Sequence, residues 1–258
     1  MLPIDQMAYC NALRHVHPLE KGSFAASLLF LSLLLKNPAS SILVFALMSM
    51  VLLIGAKIPL FYYLKLLLFP FFFLLVSILV ILFSVTPIDL KVLDVLTQVE
   101  IGNWRIYISS GKAERVSELF LSAMAGISCM YFFILTTPIQ QMIWLLQKIR
   151  LPSLFIELFV IIYRFIFVLM NNMNEVRIAQ TSRLGYRGMK RSFSSLAQLI
   201  TSIFIKSLKT AQDVQRAIDS RGNNGDFHEV EVQQSYNKRN WLGIGCFVII
   251  VSIVTFVF

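Results

Sequence analysis

Acidic residues are scarce in this chain: 14 Asp and Glu face 23 Lys and Arg, and charged residues fill only 14% of 258 positions. A soluble domain of this size needs more charge at its surface. With 57% hydrophobic residues and a mean hydropathy of +0.73, the chain does not fit that class. Cysteine is rarer still. Cys10 lies near the N-terminus, while Cys129 and Cys246 sit inside apolar runs, so neither a disulfide framework nor a Cys-based metal site is implied. No G-x-x-x-x-G-K-[ST] loop is present to cradle phosphates, and no serine or cysteine triad can be assembled. Met1 to Glu20 lacks an apolar core, so no cleavable signal peptide is visible.

What is present is membrane material. The apolar runs are unbroken rather than alternating with a period of two, and backbone polar groups inside a bilayer must pair internally, so helices are selected over a barrel. Five spans are predicted: Gly22 to Leu35, Ser41 to Ala56, Lys65 to Thr86, Glu118 to Thr137 and Trp241 to Phe258. The first two are short and separated by Lys36-Asn37-Pro38, which reads as a tight helical hairpin. Five spans place residues 1–21, 57–65 and 138–240 on one side. That side holds 18 of the 23 Lys and Arg; only Lys36, Lys91, Arg105, Lys112 and Arg115 lie opposite. The positive-inside rule then puts the N-terminus and the long basic region in the cytoplasm.

The expected organisation follows. Residues 1–137 hold an N-terminal cytoplasmic segment and four spans, 138–240 a cytoplasmic helical domain, and 241–258 the last span. The net charge of +9 does not point to nucleic acid, because most of the excess lies in a region flanked by spans, where basic residues belong anyway.

Within 138–240 the charge sits on long helical patterns. Pro138 to Arg150 is a short amphipathic piece closed by Leu151-Pro152. From Pro152 to about Arg187 runs a longer helix whose first half is almost wholly apolar, interrupted by Glu157, Arg164 and Asn171 at seven-residue intervals. Those three form one polar stripe, costly in lipid, which favours a cytoplasmic helix over a sixth span; a sixth span would overturn the orientation. Ser192 to Ser220 keeps Leu196, Leu199, Ile200, Ile203, Phe204, Leu208 and Val214 on one face, predicted to pack on a neighbouring helix. Lys209 and Asp213, four apart, are placed to pair.

Both long helices end alike. Ser182-Arg183-Leu184-Gly185 is echoed 38 residues later by Ser220-Arg221-Gly222. A glycine just past a helix lets the chain turn and leaves the arginine exposed at the tip. The bland alternative is an arginine that merely caps its helix, where the dipole favours positive charge.

Asn11-Ala12-Leu13-Arg14-His15-Val16-His17-Pro18-Leu19-Glu20-Lys21 is similar to the N-terminal signature of a known family, and Arg183-Leu184-Gly185-Tyr186 and Asp219-Ser220-Arg221-Gly222 to its two arginine motifs. The chain resembles the T component, the transmembrane coupling subunit, of energy-coupling-factor ABC transporters, in the CbiQ-like cobalt branch. Ser182 and Ser220 stand where that family usually has alanine. The resemblance implies an all-α integral membrane protein with about five transmembrane helices and long cytoplasmic coupling helices, in a bacterial or archaeal cell membrane. It implies a non-catalytic role beside two ABC-type ATPase subunits and a substrate-capture membrane subunit, with Ser182, Arg183, Gly185, Ser220, Arg221 and Gly222 docking on the ATPases and no cofactor of its own. Cobalt ion is the implied cargo. Nickel or vitamin cargo remains open, because the capture subunit chooses it.

His15 and His17 invite a metal reading, but at i,i+2 they cannot share a helix face, and Glu20 is the one nearby acid to complete a shell. An intramembrane lipid-modifying enzyme would need a denser cluster of His, Asp or Glu at the membrane edge.

Overall fold

The computed structural model describes residues 3–35, 37–82, 84–87, 95–101, 104–222 and 238–257. They form two compact units. One holds residues 2–142 and 233–258, the other essentially 143–232, the division falling inside one short helix.

The first unit begins with α1 (Pro3–Cys10), a single 3₁₀ turn (Ala12–His15) and α2 (Pro18–Leu35). The Asn37-Pro38 pair starts α3 (Pro38–Met50): the Asn37 side chain accepts from the Ala39 N–H, and Pro38 occupies a first-turn position that needs no donor. A π turn (Val51–Gly55) ends it, and α4 (Leu60–Leu82) follows. Next come β1 (Ser84–Pro87), β2 (Val95–Ile101) and β3 (Trp104–Ser109), then α5 (Ser110–Thr136), α6 (Ile139–Lys148) and, at the far end of the sequence, α9 (Lys238–Val257). The second unit contains most of α6, then α7 (Ser153–Ser182) and α8 (Met189–Ser220).

The core is built around α5, against which α1, α2, α3 and α4 all pack. Its inward positions Ala125, Cys129, Phe132 and Leu135 meet Phe24 and Leu28 of α2, Val44 and Met48 of α3, and Val251 of α9, all buried. Phe24 is the hinge of this packing: its ring lies edge-on to Phe132 at 5.5 Å and to Phe247 at 6.0 Å. Polar groups also link these helices, as with the Tyr131 hydroxyl donating to the Leu66 carbonyl at 3.0 Å.

Apolar side chains also face outward. Phe61, Phe69 and Phe73 of α4 are 81%, 84% and 68% exposed, a surface suited to lipid and not to water. Among the described residues four helical stretches are long and apolar enough to cross a bilayer: Pro38–Gly55, Leu60–Leu82, Arg115–Thr136 and Ser153–Ser182. The chain is a multi-pass helical membrane protein. This set differs from the sequence reading: Ser153–Ser182, read there as a cytoplasmic helix, is long and apolar enough to cross, whereas the expected spans Gly22 to Leu35 and Trp241 to Phe258 are not among the four. Helix starts differ as well. α2 begins at Pro18, so Glu20 and Lys21 belong to its first turn, and α4 begins at Leu60.

One addition was not foreseen. The segment read as a connection between spans carries a three-stranded antiparallel sheet, ordered β1-β3-β2, with Val85 opposite Ile106 and Val99 opposite Ile106 on the other edge. The helical class stands, with this small sheet inserted. The signal was present: two β-prone runs, Val95 to Ile101 and Trp104 to Ser109, are separated by Gly102-Asn103.

Candidate docking site at two arginine-capped helix ends

Arg183 and Arg221 are the C-caps of α7 and α8, and their backbones are nearly superposable: φ −89°, ψ 12° for the first and φ −90°, ψ 1° for the second. Each is followed by a residue in the left-handed region, Leu184 at φ 58° and Gly222 at φ 64°. The orphan carbonyls of both last turns are then recaptured. At the first tip the Leu184 N–H donates to Thr181 O (3.0 Å) and the Gly185 N–H to Gln180 O (2.9 Å), the paired bonds of a Schellman motif. At the second, the Gly222 N–H donates to Asp219 O at 3.1 Å.

The two glycines therefore do different work. Gly222 has the conformational role expected of it. Gly185 does not: the left-handed residue at the first tip is Leu184, and Gly185 is required by space. A Cβ there would lie 2.6 Å from Ser195 Oγ and 2.9 Å from Gln180 O. The reason is that the tip folds back onto the start of α8. Ser195 Oγ donates to Gly185 O (2.8 Å), Gln180 Nε2 to Ser195 O (2.9 Å), and the Tyr186 hydroxyl to Gln180 Oε1 (2.8 Å). Gln180 thus ties both sides of the turn.

Ser182 and Ser220 donate back into their own helices, to Ile178 O and Ala217 O, each at 3.0 Å. They are exposed and leave the arginines sterically free. Both guanidiniums are exposed, and among the described residues neither has a carboxylate partner; the ion pairs nearby are Lys206 with Glu175 (3.9 Å) and Arg216 with Asp213 (3.3 Å). The pairing of Lys209 with Asp213 is thus replaced by one three residues apart. Arg183 stands beside the start of α8 and Arg221 at its end. With 32 residues at about 1.5 Å each, α8 is about 48 Å long.

The apolar face of α8 departs from expectation. Leu199 is buried, but Ile200, Phe204 and Leu208 are each more than half exposed, so the stripe lies open instead of packing on a neighbour.

The N-terminal signature makes a different structure, in the first unit. His17 is buried and its Nδ1 accepts from the Leu19 N–H (3.2 Å), while His15 Nε2 accepts from Arg14 Nε (2.9 Å). Glu20 Oε2 accepts from Asn240 Nδ2 at 2.6 Å, linking α2 to α9. Lys21 is buried and donates to Thr136 O (2.9 Å) and Gln141 Oε1 (3.1 Å), while Gln141 Nε2 donates to Arg14 O (2.8 Å). Asn11 Nδ2 donates to Ala8 O (2.7 Å) and Leu135 O (3.1 Å). Burial pushes the Lys21 ammonium down to about 8, and pushes His17 below its ordinary value, assisted by Lys21 and opposed by Glu20. Among the described residues no three His, Cys, Asp or Glu side chains converge to hold a metal ion. The signature is a knot of hydrogen bonds that fixes where α1, α2, α5 and α9 meet.

The fold and these helix ends define a multi-pass helical membrane protein with two arginine-capped helices. The comparison with known proteins makes this specific. Residues 10–233 match the family model described as CbiQ, cobalt transport protein, and the chain belongs to that family. It is 28% identical over 230 residues to the cobalt transport protein CbiQ of Salmonella typhimurium strain LT2, covering 88% of this chain and 100% of that one. It is 26% identical over 253 residues to an uncharacterized protein, MJ1089, of Methanocaldococcus jannaschii, covering 98% and 92%. It is also 29% identical over 218 residues to a putative fused cobalt transport protein, CbiMQ, of Methanocorpusculum labreanum, covering 84% of this chain and 36% of the fused one.

Proposed function

We propose that the chain is the transmembrane coupling subunit of an ATP-driven energy-coupling-factor importer, transmitting closure of two ATPase subunits to a substrate-capture membrane subunit during uptake of cobalt ion. The observation that carries this is the matched pair of arginine-capped helix ends, two of a kind at opposite ends of α8. Two identical or similar motor subunits call for two similar contacts, set apart. A planar, permanently charged guanidinium suits a bidentate grip on a carboxylate. The open apolar stripe of α8 supplies the remainder of such an interface, and membership of a cobalt transport family supports the cargo. In this reading Ser182, Arg183, Gly185, Ser220, Arg221 and Gly222 make up the docking tips. α7 and α8 lie on the cytoplasmic side, as does the N-terminus, in a bacterial or archaeal cell membrane.

The test is co-expression with candidate ATPase and capture subunits, followed by purification and metal-uptake assays in vesicles. Arg183→Glu and Arg221→Glu should each weaken ATPase retention and lower uptake. Removing one member of a buried charged pair costs about 2–5 kcal/mol, so the loss should be large and not marginal. Normal assembly and uptake in both variants would overturn the proposal.

A further inference from the structure

The docking tips leave one motif of the second unit unused: the polar stripe of α7, with Arg164 at its centre. A cleft of about 430 Å³ opens between α7 and α8, and Arg164 and Arg221 both line it. Its remaining walls are largely apolar, with Phe165 and Val168 on one side and Val214 and Ile218 on the other. Among the described residues neither arginine has a carboxylate partner, and Asp213 and Glu175 are engaged with Arg216 and Lys206.

We propose that Arg164 and Arg221 form a two-arginine clamp that closes on one acidic side chain, presented by an ATPase subunit and flanked there by apolar residues. This rests on the docking reading of Arg221 and adds both a second gripping residue and the shape of the group gripped. Two guanidiniums lining one cleft repel each other. An anion between them relieves that repulsion. A carboxylate has two oxygens and about four lone-pair sites, enough for one guanidinium on each side. The apolar walls then select non-polar neighbours around the acid.

The experiment measures binding of the purified chain in detergent to its ATPase subunits, for Arg164→Gln, Arg221→Gln and the double variant. Each single change is expected to weaken binding about 30-fold or more, and the double change little beyond the stronger single one, because both arginines grip one acid. Arg183→Gln, at the far tip, should combine additively with Arg164→Gln. Unchanged binding of Arg164→Gln beside weakened binding of Arg221→Gln would overturn the clamp and leave the docking reading intact. Unchanged binding in both would remove the clamp and the Arg221 anchor together. A second readout places Ala217→Cys on the cleft wall, in a chain with Cys10→Ser and Cys246→Ser. ATPase subunits should protect it from maleimide. Protection by anionic phospholipid vesicles without those subunits would instead assign the cleft to lipid and overturn the proposal.

Discussion

At the scale of single residues, the two glycines of the arginine-capped ends make opposite demands. Gly222 has open space around its missing Cβ but a φ of 64°, so Gly222→Ala should cost about 1 kcal/mol, a purely backbone penalty. Gly185 has no such φ but no room, so Gly185→Ala should cost about 1–3 kcal/mol through displacement of Ser195 and the Gln180 carbonyl. Thermal unfolding or limited proteolysis of the purified protein would rank them. Ser195→Ala should rescue Gly185→Ala only in part, because the clash with backbone at Gln180 persists. Equal losses, or full rescue, would contradict this division of labour. Leu184 supplies the left-handed turn at the first tip at a cost of about 1–2 kcal/mol relative to glycine, while 56% exposed.

Lys21 carries a second residue-scale consequence. Its folded pKa of about 8 lies below the ordinary lysine value of 10.5, so between those limits the unfolded chain binds more protons than the folded one. Stability must then rise with pH across that window. Below about pH 8 both states are charged and the full cost of burying the ammonium remains. Heat denaturation in detergent from pH 7.5 to 10 should show the rise, and Lys21→Met should flatten it. A wild-type profile that falls over this range would mean the ammonium is not buried as described. At the same knot, titration with Co²⁺ should reveal no stoichiometric site dependent on His15 and His17, since His17 Nδ1 and His15 Nε2 already accept hydrogen bonds.

Elements were legible in the sequence to different degrees. α7 and α8 could be read closely, because long 3.6-residue periodicity and a repeated Ser-Arg end are strong local signals. The arginine-capped ends could be located the same way, but not their backbone geometry. No local pattern announces that Leu184 takes the left-handed conformation, or that Ser195 reaches back from the next helix to the Gly185 carbonyl. β1, β2 and β3 were missed because they interrupt a chain whose dominant signal is hydropathy. The open stripe of α8 was misjudged for a physical reason too: periodicity shows which face is apolar but not what covers it. Because Phe204 is 61% exposed, Phe204→Ser should leave folding unchanged while reducing retention of the ATPase subunits. Circular dichroism and co-purification from the same preparation would separate those effects. A collapse of helicity would show that the stripe is needed for the hairpin itself.

For the whole molecule, the proposed orientation can be checked with the cysteines already present. Cys10 is exposed at the end of α1, Cys129 is buried, and Cys246 lies in α9. In a Cys246→Ser chain, a membrane-impermeant maleimide should label Cys10 in inverted vesicles and not in right-side-out ones. The reverse pattern would flip the entire topology and take the arginine tips away from any cytoplasmic ATPase.

The unbroken run of α8 has a mechanical meaning. A single rod with the proposed contact at either end would fix the distance between whatever it touches, much as a spacer holds two plates. Removing seven residues from its middle would rotate the far end by only about 20° but shorten the rod by about 10 Å. Motor subunits held by such a gauge would be drawn together before nucleotide arrives, and their resting turnover, not their affinity alone, would register the change.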